Sequence, residues 1–124
     1  MRLKEKEKDI ERAILEWLEW NGIFAWKVEN SGTYDPKTKG YRVFHGRVKG
    51  IPDILAIFKC RPLAIEVKSA TGKLSAHQEE FLRRFNEEGG IAFMARSVDD
   101  VATRLNMDVR LGVKSSKRIG RMQP

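Results

Sequence analysis

The sequence predicts an α/β domain in which a mixed central sheet is flanked by helices, in the order α-β-β-β-α-β. Three observations carry this prediction: helical spacing of apolar residues near the amino terminus, short apolar segments bounded by turn residues, and a second helical segment leading into a buried strand. The chain has 124 residues, of which 41% are hydrophobic, and this is enough for one domain with a modest core.

The first element is an amphipathic helix from about residue 3 to residue 21. Its apolar stripe consists of Leu3, Ile10, Ile14, Trp17 and Leu18. Gly22 follows at the position where a helix stop is expected. At 100° per residue Glu7 falls inside the stripe, whereas Glu11 lies at its margin. An acidic side chain that faces inward needs a functional or structural reason.

The strands are predicted from short apolar segments. Residues 23–28 form the first strand, and residues 53–58 and 62–68 form an antiparallel pair. Residues 59–61 are the predicted turn between the members of that pair. A further short strand is expected over residues 41–44, inside the segment that separates the first strand from the pair.

The last third of the chain predicts a helix, a strand and a short helix. Ser75 and Gln78 have the spacing of a capping box, and the helix that they open stops at residues 89–90. Residues 91–95 are expected as a buried strand, and residues 97–105 as a capped terminal helix. The intervening helix favours a right-handed crossover that makes this strand parallel to its neighbour.

The predicted hairpin brings two carboxylates and an ammonium group together. Antiparallel pairing places Asp53 beside Glu66 or Lys68 at the open end, and Glu66 and Lys68 share one face of their strand. Two carboxylates suit a hard cation such as Mg²⁺, which keeps waters and substrate phosphate as its other ligands. The alternative is that Glu-x-Lys belongs to an ordinary solvated sheet surface.

Several segments around these residues occur in the order of a known family. They are residues 26–32 (WKVENSG), 50–54 (GIPDI), 65–68 (IEVK) and 72–75 (GKLS), followed by Gln78. This series resembles the VRR-NUC family of the PD-(D/E)xK nuclease superfamily, over roughly residues 5 to 105. The resemblance implies a restriction-endonuclease-like core.

The resemblance also implies a DNA phosphodiesterase that depends on Mg²⁺ or Mn²⁺. Asp53 and Glu66 would be metal ligands, with the Val67 carbonyl as a third, and Lys68 would position or activate the attacking water. Small stand-alone members of the family resemble Holliday-junction resolvases and can form homodimers. We therefore expect a homodimeric endonuclease that acts on branched DNA.

Two further catalytic candidates come from the same resemblance. The family places a glutamine near the active site, which corresponds to Gln78, although Gln78 could serve only the capping box with Ser75. Related nucleases place a glutamate of the first helix beside the metal, and the helix pattern assigns this role to Glu7. A solvated Glu7 is the alternative, because terminal helix turns fray.

The net charge of +7 favours a polyanionic partner such as nucleic acid. Basic residues are concentrated just before the predicted metal site, and we expect phosphate contacts there. The candidates are Lys37, Lys39, Arg42, His45, Arg47 and Lys49. Residues 107–124 are also basic and are expected to form a flexible tail after a nuclease domain over residues 1–106. A solvated lysine-rich face is the alternative for both segments.

The sequence also predicts where the protein is located. The single Cys60 excludes an internal disulfide, and no apolar segment is long enough for a membrane span, so we expect a cytoplasmic protein. Trp17, Trp20 and Trp26 are expected in the core or at an interface, with Trp20 against a second subunit. The rival functions are a catalytically inactive DNA-binding protein on the same fold and a sequence-specific restriction-type endonuclease.

Overall fold

The computed structural model describes residues 6–29, 33–35, 40–42 and 48–107. Within these ranges the elements are α1 (Glu7–Trp20), β1 (Phe24–Lys27), β2 (Thr33–Asp35), β3 (Gly40–Arg42), β4 (Ile54–Phe58), β5 (Arg61–Val67), α2 (Ala76–Glu87), β6 (Ile91–Ala95) and α3 (Val98–Arg104).

The central sheet has four strands in the order β1-β4-β5-β6. The β1–β4 and β4–β5 pairs are antiparallel, and β6 pairs with β5 in parallel because α2 carries the chain back across the sheet. This confirms the predicted mixed sheet flanked by helices. β2 and β3 form a separate two-stranded hairpin, of which the sequence analysis predicted only one strand.

The β4–β5 hairpin fixes the register that the site depends on. Lys59 and Cys60 both have positive φ, 51° and 66°, as a two-residue type I′ turn requires. The predicted three-residue turn is therefore wrong, because Arg61 already belongs to β5. The register pairs Ile54 with Ile65, which places Asp53 opposite Glu66, one of the two partners that the sequence left open.

Helices α1 and α2 end where the sequence predicts. After α1, Gly22 has a φ of 72° and donates its N–H to the Glu19 carbonyl, and the Ile23 N–H donates to Leu18. After α2, the Gly90 N–H donates to the Phe85 carbonyl in the same way.

Apolar side chains pack on both faces of the central sheet. On the face covered by α1 and α3, the fully buried side chains are Ile14, Leu18, Ile54, Leu63, Ile65, Val67 and Val101. Burial of each large side chain in this group stabilises the fold by roughly 1.5–3 kcal/mol. On the other face, Ala64 and Ala92 are small enough for α2 to approach the sheet closely through Leu82. The site lies at one end of this second face.

The described part of the chain contains no helix that is long and apolar enough to cross a bilayer. Cys60 is exposed and is a free thiol.

Candidate active site

Asp53 is held in place from two neighbouring strands. It follows the fully buried Pro52 and directly precedes β4. Its backbone carbonyl accepts a hydrogen bond of 2.7 Å from the Val28 N–H. Its Oδ2 accepts a second bond, of 2.8 Å, from the Val67 N–H on β5. The carboxylate is therefore fixed beside the strand that carries Glu66.

Glu66 is the only charged or polar residue of the described chain that is buried, with 3% of its surface exposed. Its Oε2 accepts a hydrogen bond of 3.0 Å from Gln78 Nε2 and lies 3.6 Å from Lys68 Nζ. Its Oε1 is buried and accepts no hydrogen bond from the described residues. A buried carboxylate oxygen without a partner is costly, and a bound cation would satisfy it.

Burial and like charge act together on Glu66. Removal from water, followed by the negative charge of Asp53, raises the pKa of the Glu66 carboxyl to about 8, although Lys68 acts in the opposite direction. Without a cation the Glu66 carboxyl therefore remains mostly protonated at neutral pH. A divalent cation between the two carboxylates would replace that proton and offset the repulsion.

Gly50 determines how α2 approaches this site. Its φ is +78°, and a Cβ atom there would lie 2.3 Å from the His77 carbonyl oxygen and 2.8 Å from the Gln78 nitrogen. Only glycine tolerates both the conformation and the contact. This role of Gly50 was not predicted from the sequence, although its position just before the Ile-Pro-Asp segment was the available signal.

Gln78 combines the two roles that the sequence left as alternatives. Its Oε1 accepts from the Ser75 N–H at 2.9 Å, and the Ser75 hydroxyl accepts from the Gln78 N–H at 3.1 Å, so the capping box is present. The amide nitrogen of the same side chain remains available and donates to Glu66. The helix cap therefore also orients a donor toward the buried carboxylate.

Lys68 lies at the end of β5 with 14% of its side chain exposed. Its N–H donates to the Ala95 carbonyl at 3.0 Å. A Cβ at Gly72 would lie 3.3 Å from Lys68 Cδ, so the loop after β5 runs along the lysine side chain. Arg96, which was not predicted as a site residue, donates from its guanidinium to the Ser69 carbonyl and holds this loop. The ammonium group is thus restrained beside Glu66.

The donors in the site suit a hard divalent cation. The described residues contain no group of three or more His, Cys, Asp or Glu side chains that could enclose a metal. Mg²⁺ does not need such a group, since it commonly binds through one or two carboxylates and retains waters. Asp53 and Glu66 supply those carboxylates, and the Val67 carbonyl follows Glu66 at the same end of β5. The residues present therefore fit Mg²⁺ or Mn²⁺.

The exposure of the acidic residues of α1 differs from what the sequence predicted. Glu7 begins α1 and is exposed, so the prediction that it faces inward is wrong. Glu11 is the more buried of the two, with 13% of its side chain exposed, and its Oε1 lies 3.3 Å from Lys27 Nζ. Both glutamates nevertheless line, together with Asp53, one cavity of about 260 Å³. A role for Glu7 near the metal stays a prediction.

Most of the predicted phosphate-contacting residues lie outside the described ranges: Lys37, Lys39, His45 and Arg47. Arg42 is described only as the last residue of β3. Lys49 is exposed and lines a cavity of about 360 Å³ together with Ser75, His77 and Gln78, next to the site. His77 is exposed in the first turn of α2.

Comparison with known proteins places this arrangement in a family. A solved structure described as a "VRR_NUC domain protein" superposes with a TM-score of 0.62, covers 91% of this chain and 98% of the other chain, and is 19% identical. A second, described as a "VRR_NUC domain", has a TM-score of 0.59, coverages of 81% and 94%, and 24% identity. These likenesses support the restriction-endonuclease-like α/β fold.

Similarity of sequence identifies the family to which the chain belongs. No curated protein is significantly similar to it. The model of the VRR-NUC domain matches residues 5–99, which include every strand of the described residues and the two carboxylates of the site. The chain therefore belongs to the VRR-NUC family, whose domains are generally nucleases that act on DNA.

Proposed function

We propose that the protein is a metal-dependent DNA endonuclease that hydrolyses phosphodiester bonds with Mg²⁺ or Mn²⁺. The observation that carries the proposal is the buried Glu66 carboxylate, which has an unpartnered oxygen, lies opposite Asp53 and is 3.6 Å from Lys68 Nζ. Placing a second acid and a lysine beside the buried Glu66 costs stability, and such arrangements are concentrated at functional sites.

Each residue has a distinct role in this proposal. Asp53 and Glu66 would hold the metal, with the Val67 carbonyl as a third protein ligand. A bound Mg²⁺ would lower the pKa of a water molecule and neutralise charge on the scissile phosphate. Lys68 positions the attacking water in line with phosphorus. Gln78 keeps Glu66 oriented through its amide hydrogen bond.

The substrate in this proposal is branched DNA, cut by a homodimer. The net charge of +7 supports a polyanionic substrate, and the two-fold symmetry of a homodimer matches a four-way junction. Trp20, at the end of α1, is 53% exposed and is the residue that we assign to the subunit contact. We also propose a cytoplasmic location, which the exposed Cys60 thiol supports.

Cleavage assays with matched variants test the proposal. The protein is incubated with four-way, flap and linear DNA in MgCl₂, in MnCl₂ and in EDTA. Asp53→Ala and Lys68→Ala should abolish cutting and leave salt-sensitive binding intact, whereas the exposed controls Glu19→Gln and Lys59→Ala should cut at the wild-type rate.

The outcomes separate the proposal from its rivals. Cutting by Asp53→Ala at the wild-type rate would show that the site is assigned wrongly. Tight binding without cleavage of any DNA would indicate a catalytically inactive DNA-binding protein. Cuts at one repeated sequence on long linear duplex would indicate a restriction-type enzyme.

A further inference from the structure

We infer that Phe24 and Trp26 form a stacking platform for one or two unpaired nucleobases beside the cutting site. The inference rests on the proposed function: among branched DNA substrates, the platform favours those with a single-stranded tract next to the scissile phosphate.

The two rings lie on the sheet face that carries the carboxylates. Phe24 and Trp26 alternate along β1 with Ala25, which packs against the core on the opposite face. Val28 extends the same alternation and donates its N–H to the Asp53 carbonyl at 2.7 Å. Trp26 and Asp53 therefore lie on neighbouring strands and are offset by two residues along the strand direction. This places their Cα atoms about 8 Å apart. A nucleotide next to the scissile one can span that distance.

The rings are exposed although the neighbouring part of the same face is covered. Helix α2 packs over β5 and β6, whereas Phe24 and Trp26 on β1 are 70% and 41% exposed. Their ring centroids are 5.2 Å apart with an angle of 45° between the ring planes. Ile57, which pairs with Phe24 in the register, is 50% exposed beside them. Two aromatic side chains thus present flat apolar surface at the edge of a charged site.

The size of this surface favours nucleobases over a protein partner. At 150–250 Å² for each aromatic side chain, the exposed part of the two rings amounts to roughly 200 Å². A stable protein interface buries about 800 Å² on each partner, so the patch is too small to hold a second subunit by itself. The net charge of +7 favours a polyanion as the partner.

Stacking also explains which nucleic acid would be selected. In a duplex both faces of every base are covered by neighbours, so a ring on the protein surface has nothing to stack on. An unpaired base exposes its π-face, and base–aromatic stacking tolerates any sequence. The platform would therefore favour flaps, gaps and single-stranded ends over continuous duplex.

Binding measured in EDTA tests the inference independently of cleavage. Fluorescence anisotropy gives the Kd for a flap substrate and for a duplex of equal length. Trp26→Leu and Phe24→Leu should each weaken flap binding by about tenfold and duplex binding by less than about twofold. Trp26→Tyr, which keeps a ring, should retain the preference. Ile57→Ala, which removes exposed apolar surface without removing a ring, should leave both Kd values unchanged.

A fluorescent base locates the contact. 2-Aminopurine placed one nucleotide to either side of the cut should be quenched by the wild type on one side, and Trp26→Leu should abolish that quenching. The inference is overturned if the variants lose flap and duplex affinity equally, if they lose neither, or if sedimentation shows that they change the oligomeric state. A protein that cuts no DNA but shows the flap preference would refute the proposed function and retain the platform.

Discussion

Replacement of Glu66 by glutamine should remove a pH dependence from the stability of the metal-free protein. The folded protein holds the pKa of Glu66 at about 8, against an ordinary value of 4.5 in the unfolded chain. Because the folded-state pKa is the higher one, the stability that this group contributes is fully present below pH 4.5. It is lost as pH rises toward 8.

The expected change in the free energy of unfolding follows from the linkage between protonation and folding. Between the two pKa values each pH unit costs about 1.4 kcal/mol of folding free energy, so this group removes roughly 2.5 kcal/mol between pH 5 and pH 7. Glutamine has a similar shape and does not titrate. Glu66→Gln should therefore be more stable than the wild type at pH 7 and above, and its stability should change less across this range.

Urea denaturation in EDTA at pH 5, 6, 7 and 8 measures the effect as the difference between wild type and variant. Glu19→Gln, which changes an exposed glutamate of α1, should keep the wild-type pH dependence. In saturating MgCl₂ the wild type should regain stability as pH rises, since metal binding requires the ionised carboxylate. Parallel pH profiles for wild type and Glu66→Gln in EDTA would refute this account of the site's electrostatics.

Three further substitutions test the supports of the site. Gly50→Ala should lower the free energy of unfolding by at least about 2 kcal/mol in urea denaturation, because the new methyl group meets the α2 backbone and the φ of residue 50 is +78°. A variant as stable as the wild type would contradict this contact. Asn86→Ala should cost about 1–3 kcal/mol, since the Asn86 amide bonds both the N–H and the carbonyl of Ala92, and an unchanged unfolding midpoint would show these bonds to be unimportant. Gln78→Glu should keep the helix cap. It should destabilise the EDTA-treated protein above pH 7, because it places another charge beside Glu66. Urea titration followed by circular dichroism measures both effects, and a loss of helix content would contradict the first.

The sequence predicted the parts of the fold that local rules determine. Strand alternation and a short turn limited the partner of Asp53 to Glu66 or Lys68, because a one-residue slip would expose the buried set that includes Ile65. The capping box at Ser75 and the stop after α2 were also predictable, since both are satisfied within a few residues.

Other features depend on contacts between distant segments and were not predictable. A helical projection gave the angle of Glu7 around α1 but not where the sheet ends beneath it, so Glu11 is the more buried residue. The contact of Gly50 with α2 joins segments that lie far apart in sequence. The exposure of Trp26 follows from α2 covering only part of one sheet face.

The central claim is that Asp53 and Glu66 hold one divalent cation, and anomalous diffraction from crystals grown in MnCl₂ tests it most directly. We predict a single strong peak within roughly 2.3 Å of one carboxylate oxygen from each residue. The same peak should be absent from crystals of Glu66→Gln. A wild-type crystal without a peak at this position, or with manganese bound away from Glu66, would contradict the account.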